Sequence, residues 1–309
     1  MRCRVVLAAV AAAVVGIGVL SGCGGESDAP RALVMGSADT PEMTVMAQVY
    51  ATVLRGAGAS VSSHLDTGDD AALMAQMQQA DVELFPAFIS ALLSQLAPAL
   101  ESTAPAPTSG APATDDGVDP LYRDLSRSLP QGVSVGDATP VTATAQLFVA
   151  TTLAAGAGVD DLSQCARLPA DLPVVVTAEP DAATVAAFTD AGCRLGPVEV
   201  VADATAALAR AGTGTAVALL TPLQVAGDTA SGPAGDVTAL AATDSAPGPR
   251  AEVLVPVYRT ASLTEDQVKA VNRVAGEITT ADLATMADAV RGGASPAVVA
   301  GDWVNEHGV

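Results

Sequence analysis

RALVMGSADTPEMTVMAQVYATVLRG, residues 31–56, decides the fold class of this chain. It opens with a short apolar run that ends in Gly36-Ser37, and such a run predicts a β-strand. Pro41 and Glu42 then begin a stretch that reaches about Gly56 with apolar residues at helical spacing. A strand that passes directly into a helix is typical of α/β proteins.

The pattern repeats immediately downstream. Val61–Leu65 is predicted as a strand, Asp69 or Asp70 as the cap of a helix that ends at Gln79, and Val82–Phe85 as a third strand. Together with the opening stretch these segments form a βαβαβ unit.

Alternation of strands and helices continues to the C-terminus, with two interruptions. Glu101–Asp119 and Gly227–Gly248 are rich in small and turn-forming residues and are predicted as irregular surface segments. Further strands are predicted at 132–136, 145–149, 172–177, 216–220 and 252–258, and further helices at 121–129, 181–191, 204–211, 264–277, 280–291 and 296–306. The pattern predicts two sheets flanked by helices, and the chain is long enough for two lobes, although one large domain is also possible.

The N-terminus has the features of an export signal that ends in a lipobox. Met1–Arg4 carries two arginines, Val5–Leu20 is apolar and uncharged, and Leu20-Ser21-Gly22-Cys23 follows. We therefore expect residues 1–22 to be a signal peptide, Cys23 to be lipidated and residues 23–30 to form a tether on the outer face of the cytoplasmic membrane. The alternative, an uncleaved membrane anchor, is disfavoured because a spanning helix needs about 20 apolar residues.

Charge and motifs disfavour several classes of function. The chain has 14 Lys and Arg against 34 Asp and Glu, a net charge of −20, which disfavours nucleic acid and anionic lipid as partners. Its two histidines, His64 and His307, stand far apart, so no zinc spacing and no catalytic triad is present in the sequence. We expect no enzyme activity, no metal and no cofactor.

Cys165 and Cys193 are the two cysteines left after the signal and the lipidation site. In an exported protein such a pair favours a disulfide, and two free buried thiols are the alternative.

Three groups of short segments form an ordered pattern along the chain. In the first half these are Gly36-Ser37, Pro41-Glu42, Tyr50, Gly68 and Asp81–Phe88. In the C-terminal part they are Val255–Arg259, Asn272, Gly276, Ile278–Thr280 and Asp282-Leu283. In order and spacing these segments resemble the glycine betaine/choline/carnitine-binding proteins of osmoprotectant ABC importers. The middle of the chain is similar to that family more loosely, through Asp137–Pro140, Asp160–Leu162 and Leu219–Thr221.

The resemblance implies a two-lobed periplasmic-binding-protein fold of the type II kind, an α/β architecture whose first lobe is split by the second. Residues 31–133 and 249–309 would form the first lobe and residues 134–248 the second, with crossings near Ser134 and Pro249 as the hinge. It also implies a monomeric substrate-binding lipoprotein that captures a small osmoprotectant and delivers it to a membrane permease.

In that family a quaternary ammonium is held by aromatic rings, and this chain departs from the pattern. Where the family commonly has Tyr-Pro-Glu-Tyr-Thr-Gly, residues 85–90 are Phe-Pro-Ala-Phe-Ile-Ser, and Glu252-Val253 stands where the family often has Tyr-Asn. A different small polar solute, or an interaction module that has lost its ligand, are therefore the alternatives to a quaternary amine.

The resemblance and the chemistry of the side chains give a set of candidate ligand-binding residues. Several of these residues also have an ordinary structural explanation. Phe85 and Phe88 could pack in the core, Asp70 could cap a helix, the polar loop 37–40 could form a turn, and Glu252 could face the solvent. The set is Ser37, Asp39, Thr40, Asp70, Phe85, Phe88, Ser90, Thr139, Thr221 and Glu252.

Overall fold

A computed structural model describes residues 31–96, 120–228, 236–242, 248–249 and 251–309. The predicted signal peptide, Cys23, the tether and the irregular segment 101–119 lie outside the described residues. The two-sheet α/β architecture expected from the sequence is present.

The first sheet has five strands in the order β2-β1-β3-β10-β4. β1 is parallel to both β2 and β3, whereas β10 is antiparallel to β3 and β4. The sheet therefore combines the opening βαβαβ unit with one strand that returns from the C-terminal part. The strands are β1 (Leu33–Ser37), β2 (Val61–Thr67), β3 (Leu84–Phe88), β4 (Val133–Val135) and β10 (Leu254–Arg259).

Within the described ranges seven helices accompany this sheet, and we call the assembly the first lobe. α1 packs against α9, α10 and α11, so the C-terminal helices close the core that the N-terminal unit begins. The helices are α1 (Pro41–Gly56), α2 (Asp70–Gln79), α3 (Ile89–Leu96), α4 (Pro120–Ser128), α9 (Glu265–Glu277), α10 (Thr280–Arg291) and α11 (Pro296–His307).

The second sheet, which with its helices forms the second lobe, has the order β7-β6-β8-β5-β9. Its strands are β5 (Gln146–Ala150), β6 (Leu172–Val176), β7 (Leu195–Val200), β8 (Val217–Leu220) and β9 (Val237–Leu240). Its helices are α5 (Thr151–Ala157), α6 (Ala182–Asp190), α7 (Ala204–Gly212) and α8 (Pro222–Asp228), with a 3₁₀ helix at Leu162–Arg167. Cys165 and Cys193 form a disulfide that joins the 3₁₀ helix to the turn after α6.

Two segments connect the lobes, and they pair with each other. Thr142 and Val253 form an antiparallel bridge, and the N–H of Ala143 donates to the carbonyl of Glu252 at 2.9 Å. Two adjacent connections of this kind are the usual architecture of a hinge between lobes. The lobe boundary that the resemblance implies, between residues 133 and 134, falls within β4, which extends to Val135.

α8 departs from a simple separation of the lobes. It follows β8 of the second sheet, but it packs against α10 of the first lobe, and Leu223 joins the apolar core of the first lobe. Since α8 also packs against α7 of the second lobe, it contacts both lobes.

Candidate functional site

A cavity of about 860 Å³ lies between the two lobes. Its size falls within the roughly 300–1,000 Å³ typical of small-molecule sites. One wall is the start of α3 with the hinge residue Glu252, and the other is built from the ends of β6 and β8 with the start of α6. Both lobes and the hinge therefore contribute to the same cavity.

The first wall depends on how the chain turns from β3 into α3. The N–H of Ile89 donates to the carbonyl of Val253 at 2.9 Å, so the helix begins against the hinge strand. Ser90 is buried, and its hydroxyl donates to the carbonyl of Ala251 at 2.6 Å. The N–H of Ala91 donates to Oε2 of Glu252 at 3.3 Å, which places this carboxylate at the N-terminus of α3.

The environment of Glu252 disfavours its charged form. Burial raises the pKa of Glu252 to about 7, against an ordinary value of 4.5, although hydrogen bonds from the N–H groups of Ala91 and Ser90 oppose the shift. The negative charges of Asp70 and Asp181 make smaller contributions to this upward shift of the pKa. Glu252 therefore titrates near neutral pH.

The second wall contains a hydrogen-bonded network of three side chains. The amide of Gln224 donates to Oγ1 of Thr177 at 2.9 Å, and its Oε1 accepts from the N–H of Thr221 at 2.8 Å. Oγ1 of Thr221 in turn accepts from the N–H of Gln224 at 3.2 Å. This reciprocal pair caps α8 and holds Thr177 at the end of β6.

Asp181 occupies the N-cap of α6 at the edge of the same wall. Its carboxylate accepts from the N–H of Thr184 at 2.7 Å and from the hydroxyl of Thr184 at 2.8 Å. Burial acts to raise the pKa of Asp181, but these hydrogen bonds outweigh it and lower the pKa. Asp181 therefore stays ionised over the physiological range.

Three of the residues expected at the site line this cavity, namely Ser90, Thr221 and Glu252. Asp70 does not line it, but its charge acts on Glu252. Burial, with a smaller contribution from the negative charge of Asp69, raises the pKa of Asp70 to about 6.

Four of the other expected residues serve the scaffold or lie at the surface. Ser37 is fully buried and donates to the carbonyl of Ala38 at 2.7 Å. Thr40 caps α1 by accepting from the N–H of Met43 at 3.3 Å, and Asp39 is exposed. Thr139 is buried and donates to the carbonyl of Leu254 at 3.1 Å.

The two phenylalanines do not line the cavity. Phe85 is fully buried in the apolar core formed by α2, α3 and α4. Phe88 is partly buried against the core of the first lobe. Phe85 packs in the core because β3 is covered by helices at that position.

Sequence reasoning did not select Thr177, Asp181 and Gln224, which line the cavity. Asp181 carried a usable signal, since it stands at a helix start just after a strand that ends in Thr177, and sites in α/β folds form where strands end. Gln224 carried none, because its role depends on the contact with Thr177.

The lining has a distinctive chemistry. Among the described residues that line the cavity, the charged ones are Asp181, Asp190 and Glu252, and none is Lys, Arg, His or aromatic. Over the described part of the chain no group of three or more His, Cys, Asp or Glu is placed to hold a metal ion. None of the helices in the same ranges has the length and apolar character that a membrane crossing requires.

A family model described as the substrate-binding domain of ABC-type glycine betaine transport systems matches residues 31–306. The comparison with curated proteins returned no match.

Three solved structures show the fold. A glycine betaine/carnitine/choline ABC transporter structure superposes with a TM-score of 0.66, and apo YehZ from Escherichia coli with a TM-score of 0.62. Each is 15% identical, and each alignment covers 89% of this chain and 98% of the other. A choline-binding protein of an ABC transporter in complex with choline gives a TM-score of 0.52 at 15% identity, over 89% of this chain and 88% of the other. The molecule is thus similar to two-lobed periplasmic binding proteins.

Proposed function

Since the chain belongs to the family of substrate-binding domains of ABC-type glycine betaine transport systems, we propose that it captures a small solute in the cavity between its lobes. The bound solute would then be delivered to a membrane permease. Binding and transfer need no chemistry in this chain, so the proposal includes no enzyme activity.

One observation carries this proposal: the cavity is bounded by both lobes and by the hinge itself. Glu252 lines the cavity with its side chain, while its main-chain N–H donates to Oγ1 of Thr144 on the paired connection at 2.9 Å. A ligand that contacts Glu252 and the start of α6 would touch both lobes, and it would favour the closed arrangement by its greater affinity for that state.

The ligand that we propose carries a cationic nitrogen. Family membership points to osmoprotectants, and two structural neighbours are described as binding glycine betaine, carnitine or choline. The carboxylates of Asp181 and Glu252 are suited to a positive group.

We further propose that the protein is exported, and that the lipobox at Leu20–Cys23 anchors it as a monomer through a lipid on Cys23. Residues 23–30 would then separate the folded body from the membrane surface.

Thermal unfolding followed by circular dichroism tests the proposal on the protein isolated from the membrane fraction in detergent. The panel is glycine betaine, choline, carnitine, proline betaine, ectoine, ethanolamine, unrelated amino acids and sugars. A ligand at 100 times its Kd stabilises the folded state by about 2.7 kcal/mol, and each kcal/mol raises the midpoint by about 2–4 °C in a protein of this size. No shift with any solute, in folded protein, would favour an interaction module that has lost its ligand.

A further inference from the structure

The charged side chains in the described lining of the cavity are all acidic. Asp181 and Glu252 lie on opposite walls, and the negative charge of Asp181 contributes to the raised pKa of Glu252. The described lining contains no cationic side chain to offset them. A bound cation would relieve the repulsion between these two carboxylates, because they share one cavity.

A quaternary ammonium is poorly matched to this lining. It has no N–H, and proteins usually hold it against the faces of aromatic rings. The chain has four Phe, three Tyr and one Trp, all of them within the described ranges, and none lines the cavity. The described lining instead offers oxygen acceptors, from Ser90, Ser94, Thr177, Thr184 and Thr221 together with the carboxylates. Such acceptors suit an ammonium that donates hydrogen bonds.

A ligand carboxylate also lacks a cationic partner among the described residues of the lining. Helix N-termini commonly bind anions through their N–H groups, and three helices begin at this cavity. Glu252 already accepts from α3, Asp181 from α6 and Thr221 from α8. Each of these N-termini thus already has an acceptor from the chain's own side chains, and the described lining has no Lys, Arg or His, so the carboxylate of a betaine would meet no side chain of opposite charge there.

We infer that the cleft takes a small organic cation that donates N–H hydrogen bonds and carries no carboxylate, of the ethanolamine or diaminoalkane type. This inference rests on the proposed function, because it assigns the ligand class of the same cavity. Glu252 and Asp181 are the charge partners, one on each wall, and the hydroxyls between them accept the remaining N–H groups.

Isothermal titration calorimetry at pH 8 tests the inference with four probes: ethanolamine, 1,4-diaminobutane, choline and glycine betaine. At least one of the two protonated amines is expected to bind at least about tenfold more tightly than choline or glycine betaine, a difference of about 1.4 kcal/mol. Glu252→Gln should weaken the amine at least about tenfold. Asp302→Asn removes one exposed carboxylate from α11 and is the matched control, whose affinity should equal that of the unaltered protein.

The outcomes separate the inference from the proposed function. Tighter binding of choline or glycine betaine would overturn the inference and keep the binding function. The inference would likewise be overturned if glycine betaine binds and Arg250→Gln abolishes that binding, because Arg250, outside the described residues, would then be the carboxylate partner. An amine that binds equally to the Glu252→Gln variant would also overturn it. If folded protein binds none of the four probes in calorimetry, the inference is overturned. If the wider panel also gives no thermal shift, the proposed function is overturned as well.

Discussion

Glu252 connects the hinge, the start of α3 and the cavity through separate atoms. Its main chain pairs with Ala143 and Thr144, while its side chain accepts from Ala91 and lines the cleft. The sequence marked this residue because a carboxylate stands where the resembling family has other side chains. The role at the N-terminus of α3 was not predictable, since it depends on a contact between residues 161 positions apart.

The raised pKa of Glu252 predicts how stability depends on pH. Its pKa is about 7 in the folded protein and near 4.5 when unfolded, so the folded state binds more protons between these values. The contribution of Glu252 to stability is therefore fully present below about pH 4.5 and is lost as the pH rises through 7. Glu252→Gln keeps an acceptor for Ala91 and should be more stable than the unaltered protein by about 3 kcal/mol at pH 8, with little difference at pH 4.5.

Urea unfolding at the two pH values measures this difference. Asp302→Asn provides the control, because this exposed carboxylate has no comparable burial. An equal effect of Glu252→Gln at both pH values would show that the carboxylate is not titrating as the structure indicates.

At the level of helices and strands, the sequence predicted most of the regular structure. Helix starts were predicted correctly where a single residue marks them. Asp69 caps α2 with its side chain, and Pro41 is the first residue of α1. α3 was not predicted, because Ile89 follows Phe88 of β3 with no intervening turn. β9 was missed since it lies within a stretch rich in small residues and pairs only with a strand distant in sequence, β5.

The disulfide supports the wall that carries α6. Cys165 and Cys193 enclose a loop with a sequence separation of 28, and they lie in the apolar core of the second lobe. A loop of this length predicts a stabilisation of about 3–4 kcal/mol. Reducing agent should therefore lower the unfolding midpoint of the unaltered protein. The double variant Cys165→Ala, Cys193→Ala serves as the control, because reducing agent should leave its unfolding midpoint unchanged. If reducing agent also left the unfolding midpoint of the unaltered protein unchanged, the disulfide would not be stabilising.

At the scale of the whole molecule, the cleft residues were harder to predict than the fold because they come from two lobes and from the segments that connect them. Ser90 and Thr221 belong to different lobes, and neither sequence neighbourhood indicates the other. Phe85 matched the family's motif, yet it is buried in the core because α2, α3 and α4 cover β3 at that position. Alternating strands and helices specify the layers, whereas the cleft is specified by contacts between them.

Hydrogen exchange with and without the best-binding solute tests most directly whether this cleft is the binding site. We expect added protection in Ile89–Leu96 and in Ala182–Asp190 together, because these segments carry the two walls, and no change in Pro296–His307 at the far end of the chain. Protection confined to one lobe, or located away from both walls while the solute is bound, would contradict a site between the lobes.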